Sequence, residues 1–159
     1  MFRELVRIKQ KMPLEECVAL LKNETRGVLS VVDEDGYPYG TPLNHFYDEE
    51  SGKIYFHIGS QQSHRTDAVK NCDKACFTCY DAGYRKDGHW ALNVKSVIVF
   101  GKVKIIDDAE TVEDISRKLS YKFTEDESYI ENEIKNHLHR TLLLELAPEH
   151  ISGKYVNES

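Results

Sequence analysis

Asn93-Val94-Lys95-Ser96-Val97-Ile98-Val99-Phe100-Gly101-Lys102-Val103-Lys104-Ile105-Ile106 has strand character throughout and is interrupted once, by Gly101. A strand of that length must bend, and a central glycine is the usual place for the bend or bulge that closes a barrel. Toward the C-terminus, 110–121 and 127–140 read as two charged amphipathic helices, and 142–146 and 151–156 as closing strands. Toward the N-terminus, a strand at about 75–81, Ala75-Cys76-Phe77-Thr78-Cys79-Tyr80 at its heart, leads into an exposed loop at 83–88.

Further upstream, Pro13 opens an amphipathic helix in which Leu14, Cys17, Val18 and Leu21 recur at helical spacing. Three strands follow as a meander: 27–32, then 37–47 after the acidic turn Asp33-Glu34-Asp35-Gly36, then 53–58 after a turn at 48–52. Gly59-Ser60-Gln61-Gln62 breaks the third strand, and 63–70 is a short polar helix. Strands dominate the first two-thirds, and the later helices interrupt rather than alternate with them. That is the pattern of α+β or mainly β barrel folds, not of a doubly wound parallel sheet. No G-x-G-x-x-G follows a strand, so a Rossmann reading fails.

The 159 residues fit one domain, 1–159. Basic residues number 21 and acidic residues 27, a net charge of −6, and no lysine- or arginine-rich stripe exists, which argues against nucleic acid as the main partner. No apolar run approaches a membrane span, and MFRELVRIKQKM lacks the apolar core of a signal peptide, so a cytoplasmic protein is expected. Cys17, Cys72, Cys76 and Cys79 are then expected as free thiols. Cys76 and Cys79 spell C-x-x-C, but three residues apart on a strand they face opposite sides and do not share a metal.

If the turn at 48–52 folds the second strand onto the third, the register places Leu43, His45, Tyr55 and His57 on one face. Asn44, Phe46, Ile54, Phe56 and Ile58 then fall on the other. The second, mostly apolar set would face the barrel interior and the first would form a ligand surface, although each histidine is equally served by a structural, hydrogen-bonded role. The most informative corner is His57-Ile58-Gly59-Ser60-Gln61-Gln62-Ser63-His64-Arg65. It joins a strand to a helix N-terminus, where unpaired N–H groups and the helix dipole attract an anion. Ser60 and Ser63 add hydroxyls, and His64 and Arg65 add cationic donors, Arg65 with a fork suited to phosphate. The alternative is an ordinary polar loop with a capped helix.

The stretches GYPYGTPLN (36–44), IYFHIGSQQSHR (54–65), 71–77 and SVIVFGK (96–102) occur in the order and spacing of the pyridoxamine 5'-phosphate oxidase-like split-barrel family. Within it the chain most resembles the branch related to nitroimidazole resistance, over about residues 10–156, Ile151-Ser152-Gly153-Lys154 included. The resemblance implies a split β-barrel with flanking helices and FMN at the interface of a homodimer. Thr41, Pro42, Leu43 and Asn44 would lie along the flavin ring and ribityl chain. His57, Gly59, Ser63, His64 and Arg65 would surround the phosphate end, with Ser60 in the same corner, and Ser96 and Val97 would meet the cofactor from the neighbouring strand. The family often has glycine and lysine where this chain has Ser63 and Arg65. The long C-terminal substrate-binding extension of true pyridoxamine phosphate oxidases has no counterpart here, so that activity is not expected.

The resulting expectation is an FMN-dependent oxidoreductase, reduced by NAD(P)H and passing electrons to a small nitroaromatic or quinone acceptor, with His45 as the only candidate acid or base. A non-enzymatic flavin carrier needs only the binding residues. The same barrel could instead hold haem on one of the seven histidines, and zinc through Cys72, Cys76, Cys79 and His89 is the remaining alternative. Trp90, with the loop 83–89, either covers the flavin or anchors the core or the dimer interface.

Overall fold

The computed structural model describes residues 1–158. Its elements run α1 (Leu14–Asn23), β1 (Arg26–Val32), β2 (Pro38–Asp48), β3 (Lys53–Gly59), α2 (His64–Asn71), β4 (Lys74–Tyr80), β5 (Tyr84–Arg85), β6 (Leu92–Ile106), α3 (Ala109–Ser120), α4 (Glu127–His137) and β7 (Thr141–Asn157). Every strand pairing is antiparallel, in the order β4-β1-β2-β3-β7-β6. β6 also pairs with β4 and thereby closes a six-stranded barrel, which leaves the two-residue β5 on the end of β6.

Alternation along the strands fills the interior. Leu29 and Val31, Ile54 and Phe56, Phe77 and Cys79, Val97 and Val99, and Leu144 and Leu146 are buried at every second position and form one cluster. Cys17, Leu20 and Leu21 of α1 and Ala68 and Val69 of α2 join it. All four cysteines are free, Cys79 buried and Cys76 half-buried at alternate sites of β4.

The bend falls where the sequence places it. Pairing between β6 and β7 shifts at Phe100/Gly101: Phe100 faces His150 while Gly101 faces Pro148, so Glu149 is the extra residue. A Cβ at Gly101 would lie 2.2 Å from the Ala147 carbonyl oxygen. Because β7 absorbs Pro148 at this bulge, where a missing N–H costs no ladder bond, the two closing strands expected from the sequence are one strand, Thr141–Asn157. The helix expected over 127–140 ends at His137 and tightens into a 3₁₀ turn, Leu138–Arg140.

The β2–β3 register is a second correction. Asp48 stays in the ladder opposite Lys53, so the loop has four residues, 49–52, and not five. Its geometry is set by Asp48, whose carboxylate accepts from the Ser51 N–H (3.2 Å) and hydroxyl (2.5 Å), and by Gly52 at φ +68°. One residue fewer in the loop turns every side chain of one strand over. His45 therefore pairs with Phe56 on the interior face, and Phe46 pairs with Tyr55 on the outer face, where Val112 and Ile115 of α3 cover them with Leu143. On that outer face the registers also align Tyr55, Glu145 and Lys104 in one row. Glu145 accepts from the Tyr55 hydroxyl (2.9 Å), Lys53 (3.0 Å) and Lys104 (3.2 Å), so the buried carboxylate has its partners.

The barrel is split where β2 changes partners. Residues 38–44 of β2 pair with β1, and only 45–48 pair with β3, while β3 continues through 57–59 against β7. The facing edges of β2 at 38–44 and β3 at 57–59 thus diverge, and neither has a strand partner there among the described residues.

Candidate functional site

The split opens beside the N-terminus of α2. Ser63 caps that helix in a box with Thr66: the Thr66 N–H donates to Ser63 Oγ at 3.3 Å and the Ser63 N–H donates to Thr66 Oγ1 at 2.8 Å. The first-turn amides of His64 and Arg65 lie beyond the reach of intrahelical bonding. Arg65 crosses to β2, its Nη1 donating to Thr41 Oγ1 at 3.4 Å, while its buried Nε has no partner. Asn44 Oδ1 on the same stretch of β2 is also buried without a partner. At the end of β3, Gly59 is exposed and an added Cβ would meet nothing within 4 Å, so the protein's own packing does not require its smallness. Two orphaned polar atoms and a bare stretch of backbone around one opening are what a bound group would complete.

His64 turns away from this corner. Its Nε2 lies 3.4 Å from Asp33 and 3.8 Å from Glu34 in the β1–β2 turn, and its ring sits 4.3 Å from that of Tyr39. The Ser60 N–H donates to the Arg140 carbonyl at 2.8 Å, which brings the segment before β7 alongside the end of β3. His57 opens onto the cleft so formed. Desolvation, with the nearby His137 second, holds its imidazole below the usual pKa.

Arg65 and Thr41 are thus joined beside the Ser63 cap, and Asn44, His57 and Gly59 line one cleft, with Pro42 exposed between Thr41 and Leu43, and Leu43 packed on the core. Ser96 and Val97 are not. β6 borders β7 and β4, across the barrel from β2, and Val97 is wholly buried inside. A single chain cannot carry these two residues to the opening. Trp90 is not a core residue either, since 75% of its surface is exposed.

His45 is a further correction. The four-residue turn puts it in the interior at 0% exposure, its Nε2–H donating to the Leu21 carbonyl at 2.7 Å and its Nδ1 unpartnered. Such a side chain does not reach a ligand in the split. Burial first, and then the charge of Lys122, push its pKa down to about 4; the Lys122 ammonium donates to the His45 carbonyl at 3.0 Å. Because the folded value is depressed, the unfolded chain takes up the proton first on acidification, so stability is lost between pH ~6.5 and ~4, by roughly 3 kcal/mol in all. His45→Met should flatten this limb, so that its urea midpoint changes less than that of the wild type over the same interval. Parallel pH profiles would show that the imidazole is not the source.

The sequence did not point to the outer wall of the opening. Ser116, Leu119, Ser120 and Phe123 from α3 and the turn after it, with Tyr129, Ile134, His137 and Arg140 from α4 and its 3₁₀ extension, enclose a cleft of about 550 Å³ over Asn44, His57 and Gly59. A signal was available. Ser116 interrupts the apolar stripe Val112, Ile115, Leu119 of a helix otherwise read as plain packing.

The pyridoxamine 5'-phosphate oxidase family pattern matches residues 13–155. The chain belongs to that family. It is a family of flavin-binding split-barrel proteins, and the expected fold class is the one observed. No curated protein matches the chain. Among solved structures, a 5-nitroimidazole antibiotic resistance protein from Bacteroides thetaiotaomicron, so described only provisionally, is similar with a TM-score of 0.78 at 16% identity, over 92% of this chain and 87% of that one. A flavocytochrome from Azotobacter vinelandii gives 0.76 at 18% identity, over 96% and 72%. An FAD-binding protein from Mycobacterium smegmatis gives 0.66 at 17% identity, over 94% and 99%. At these identities the likeness is one of fold. Among the described residues no helix is long and apolar enough to cross a membrane.

Proposed function

We propose that this member of the pyridoxamine 5'-phosphate oxidase family binds FMN in the split between β2 and β3 and acts as an NAD(P)H-dependent oxidoreductase on small nitroaromatic or quinone acceptors. The observation that carries the reading is the pair of orphaned buried atoms, Asn44 Oδ1 and Arg65 Nε, set around open backbone at a helix N-terminus. Arg65 and the first-turn amides of α2 would hold the phosphate, the free edge of β2 at Thr41 to Asn44 would offer backbone donors and acceptors to the ring, and Gly59 leaves room for a flat group. The flavin, when bound, supplies hydride acceptance and electron transfer. The chain's part is to orient it, shield one side from water and leave the other to the acceptor. The name of the Bacteroides protein supports the acceptor class, and the flavocytochrome and FAD-binding proteins support a flavin.

A homodimer with the cofactor at its interface would bring Ser96 of a second copy to the opening. The outer side of β4 and β6, where Tyr80 is exposed and faces Ser96, with exposed Trp90 nearby on the chain before β6, is the surface such a copy would cover. The burial of His45 favours a second reading, a flavin carrier without turnover, because it removes the one acid–base candidate. The spectrum of the purified protein, followed by release and identification of the chromophore, tests the cofactor: FMN is expected, and FAD, haem or no chromophore overturns that assignment. Steady NAD(P)H oxidation with nitroaromatic and quinone acceptors above the rate of free FMN is expected of the enzyme; a rate no greater identifies the carrier.

A further inference from the structure

The cleft under α3 and α4 is more than the flavin reading needs. At about 550 Å³ it has the size of a small-molecule site, and it shares its floor, Asn44, His57 and Gly59, with the opening between β2 and β3. Its walls are largely apolar, from Leu119, Ile134 and Leu138. Phe123 (49% exposed) and Tyr129 (56%) stand at its rim, two large aromatic side chains left in water beside a concave surface.

Two polar features are unresolved by the chain itself. Ser116 lines the cleft, is 91% buried, and its Oγ has no hydrogen-bond partner. Arg140 donates from Nη2 to His137 Nδ1, which leaves the proton of that imidazole on Nε2, 3.6 Å from Glu133. At that distance the imidazole does not hydrogen-bond Glu133, whose carboxylate also lines the cleft, while the exposed Arg140 guanidinium has no carboxylate within 4 Å among the described residues.

We propose that this cleft binds a small aromatic acid, its ring against Leu119, Phe123 and Ile134 and its carboxylate held by Arg140. That such a ligand is the electron acceptor rests on the flavin reading above; the pocket itself does not. The cleft's size, its aromatic rim, an unpartnered hydroxyl and a guanidinium without a carboxylate partner together select a flat body with one anionic end, rather than a neutral hydrocarbon or a polyanion.

Calorimetry with 4-nitrobenzoate and its uncharged methyl ester, on the protein as purified and on protein saturated with FMN, tests this. The acid should bind about tenfold more tightly than the ester, the scale of one charge-assisted contact. Arg140→Gln should erase that preference, and Ile134→Trp, which fills the cleft, should weaken both probes by about tenfold or more with the thermal midpoint and flavin content unchanged. Equal affinity for acid and ester, no binding, full affinity in both variants, or displacement of the acid by FMN would overturn the proposal, the last by showing the cleft to be the flavin's own. Probe binding that persists in a protein unable to take up FMN would uphold the pocket and refute the flavin reading alone.

Discussion

Gly101→Val is expected to cost about 3 kcal/mol or more, a large share of the roughly 5–15 kcal/mol that holds a domain of this size together. An added Cβ would meet the Ala147 carbonyl oxygen at 2.2 Å, its carbon at 2.9 Å and Leu146 Cδ1 at 3.1 Å. Two of those atoms are backbone, and a backbone flanked by the bulge at Glu149 and by Pro148 cannot give way without breaking the pairing of β6 with β7. Those two strands form the longest ladder of the barrel, and β6 is also the strand that closes it against β4. Relief of the clash therefore opens the seam rather than a loop. Urea unfolding should show a much lower midpoint, with a barrel that remains cooperative if it folds at all. A midpoint within the experimental spread of the wild type would mean that the bend tolerates a side chain, and that Gly101 is not what fixes it.

Gly101 was legible because a glycine inside a long run of strand formers has few other uses, and the structure puts it opposite the bulge. The run 75–80 was likewise legible as a strand, whereas Val97, which the resemblance placed at the cofactor, proves to be barrel interior. The β2–β3 register was not legible. Its parity depends on whether Asp48 belongs to the ladder or to the loop, and that is decided by the hydrogen bonds of one carboxylate to Ser51, which hydrophobic pattern does not encode. That single residue moved His45 from the ligand side to the core. The two closing strands expected at 142–146 and 151–156 are one for a related reason: Pro148, in the gap between them, becomes a strand residue because a bulge removes the need for its N–H.

At the candidate site the corner after Ile58 could be read because its chemistry is local: a strand end, a capping serine and an arginine within seven residues of one another. The outer cleft could not, because it joins β3 to residues roughly sixty to eighty positions later and depends on how α3 and α4 cross the barrel. His64 shows the limit of reading donors by type. Beside Arg65 it looks like a second cation for a phosphate, yet the acidic turn Asp33–Glu34 draws it away, leaving Arg65 as the cation turned toward β2.

That solitude makes Arg65 the position where substitution should change flavin affinity most. The chain carries a net charge of −6 and FMN brings a dianion, so the cofactor must be held by local positive potential against the field of the whole protein. Arg65→Ala should raise the FMN dissociation constant about 100-fold, close to 3 kcal/mol, the usual scale for removing a charged partner from a phosphate. Riboflavin, which lacks the phosphate, should bind wild type and variant alike. Arg65→Lys keeps the charge but loses the planar fork that reaches both Thr41 and a ligand, and an intermediate loss of about tenfold is expected. The salt dependence of FMN binding should be shallower in Arg65→Ala than in the wild type, since the lost attraction is the screened one. Equal losses for FMN and riboflavin would assign Arg65 to packing of the split. Unchanged affinity for both would move the phosphate, and with it the cofactor, away from the N-terminus of α2.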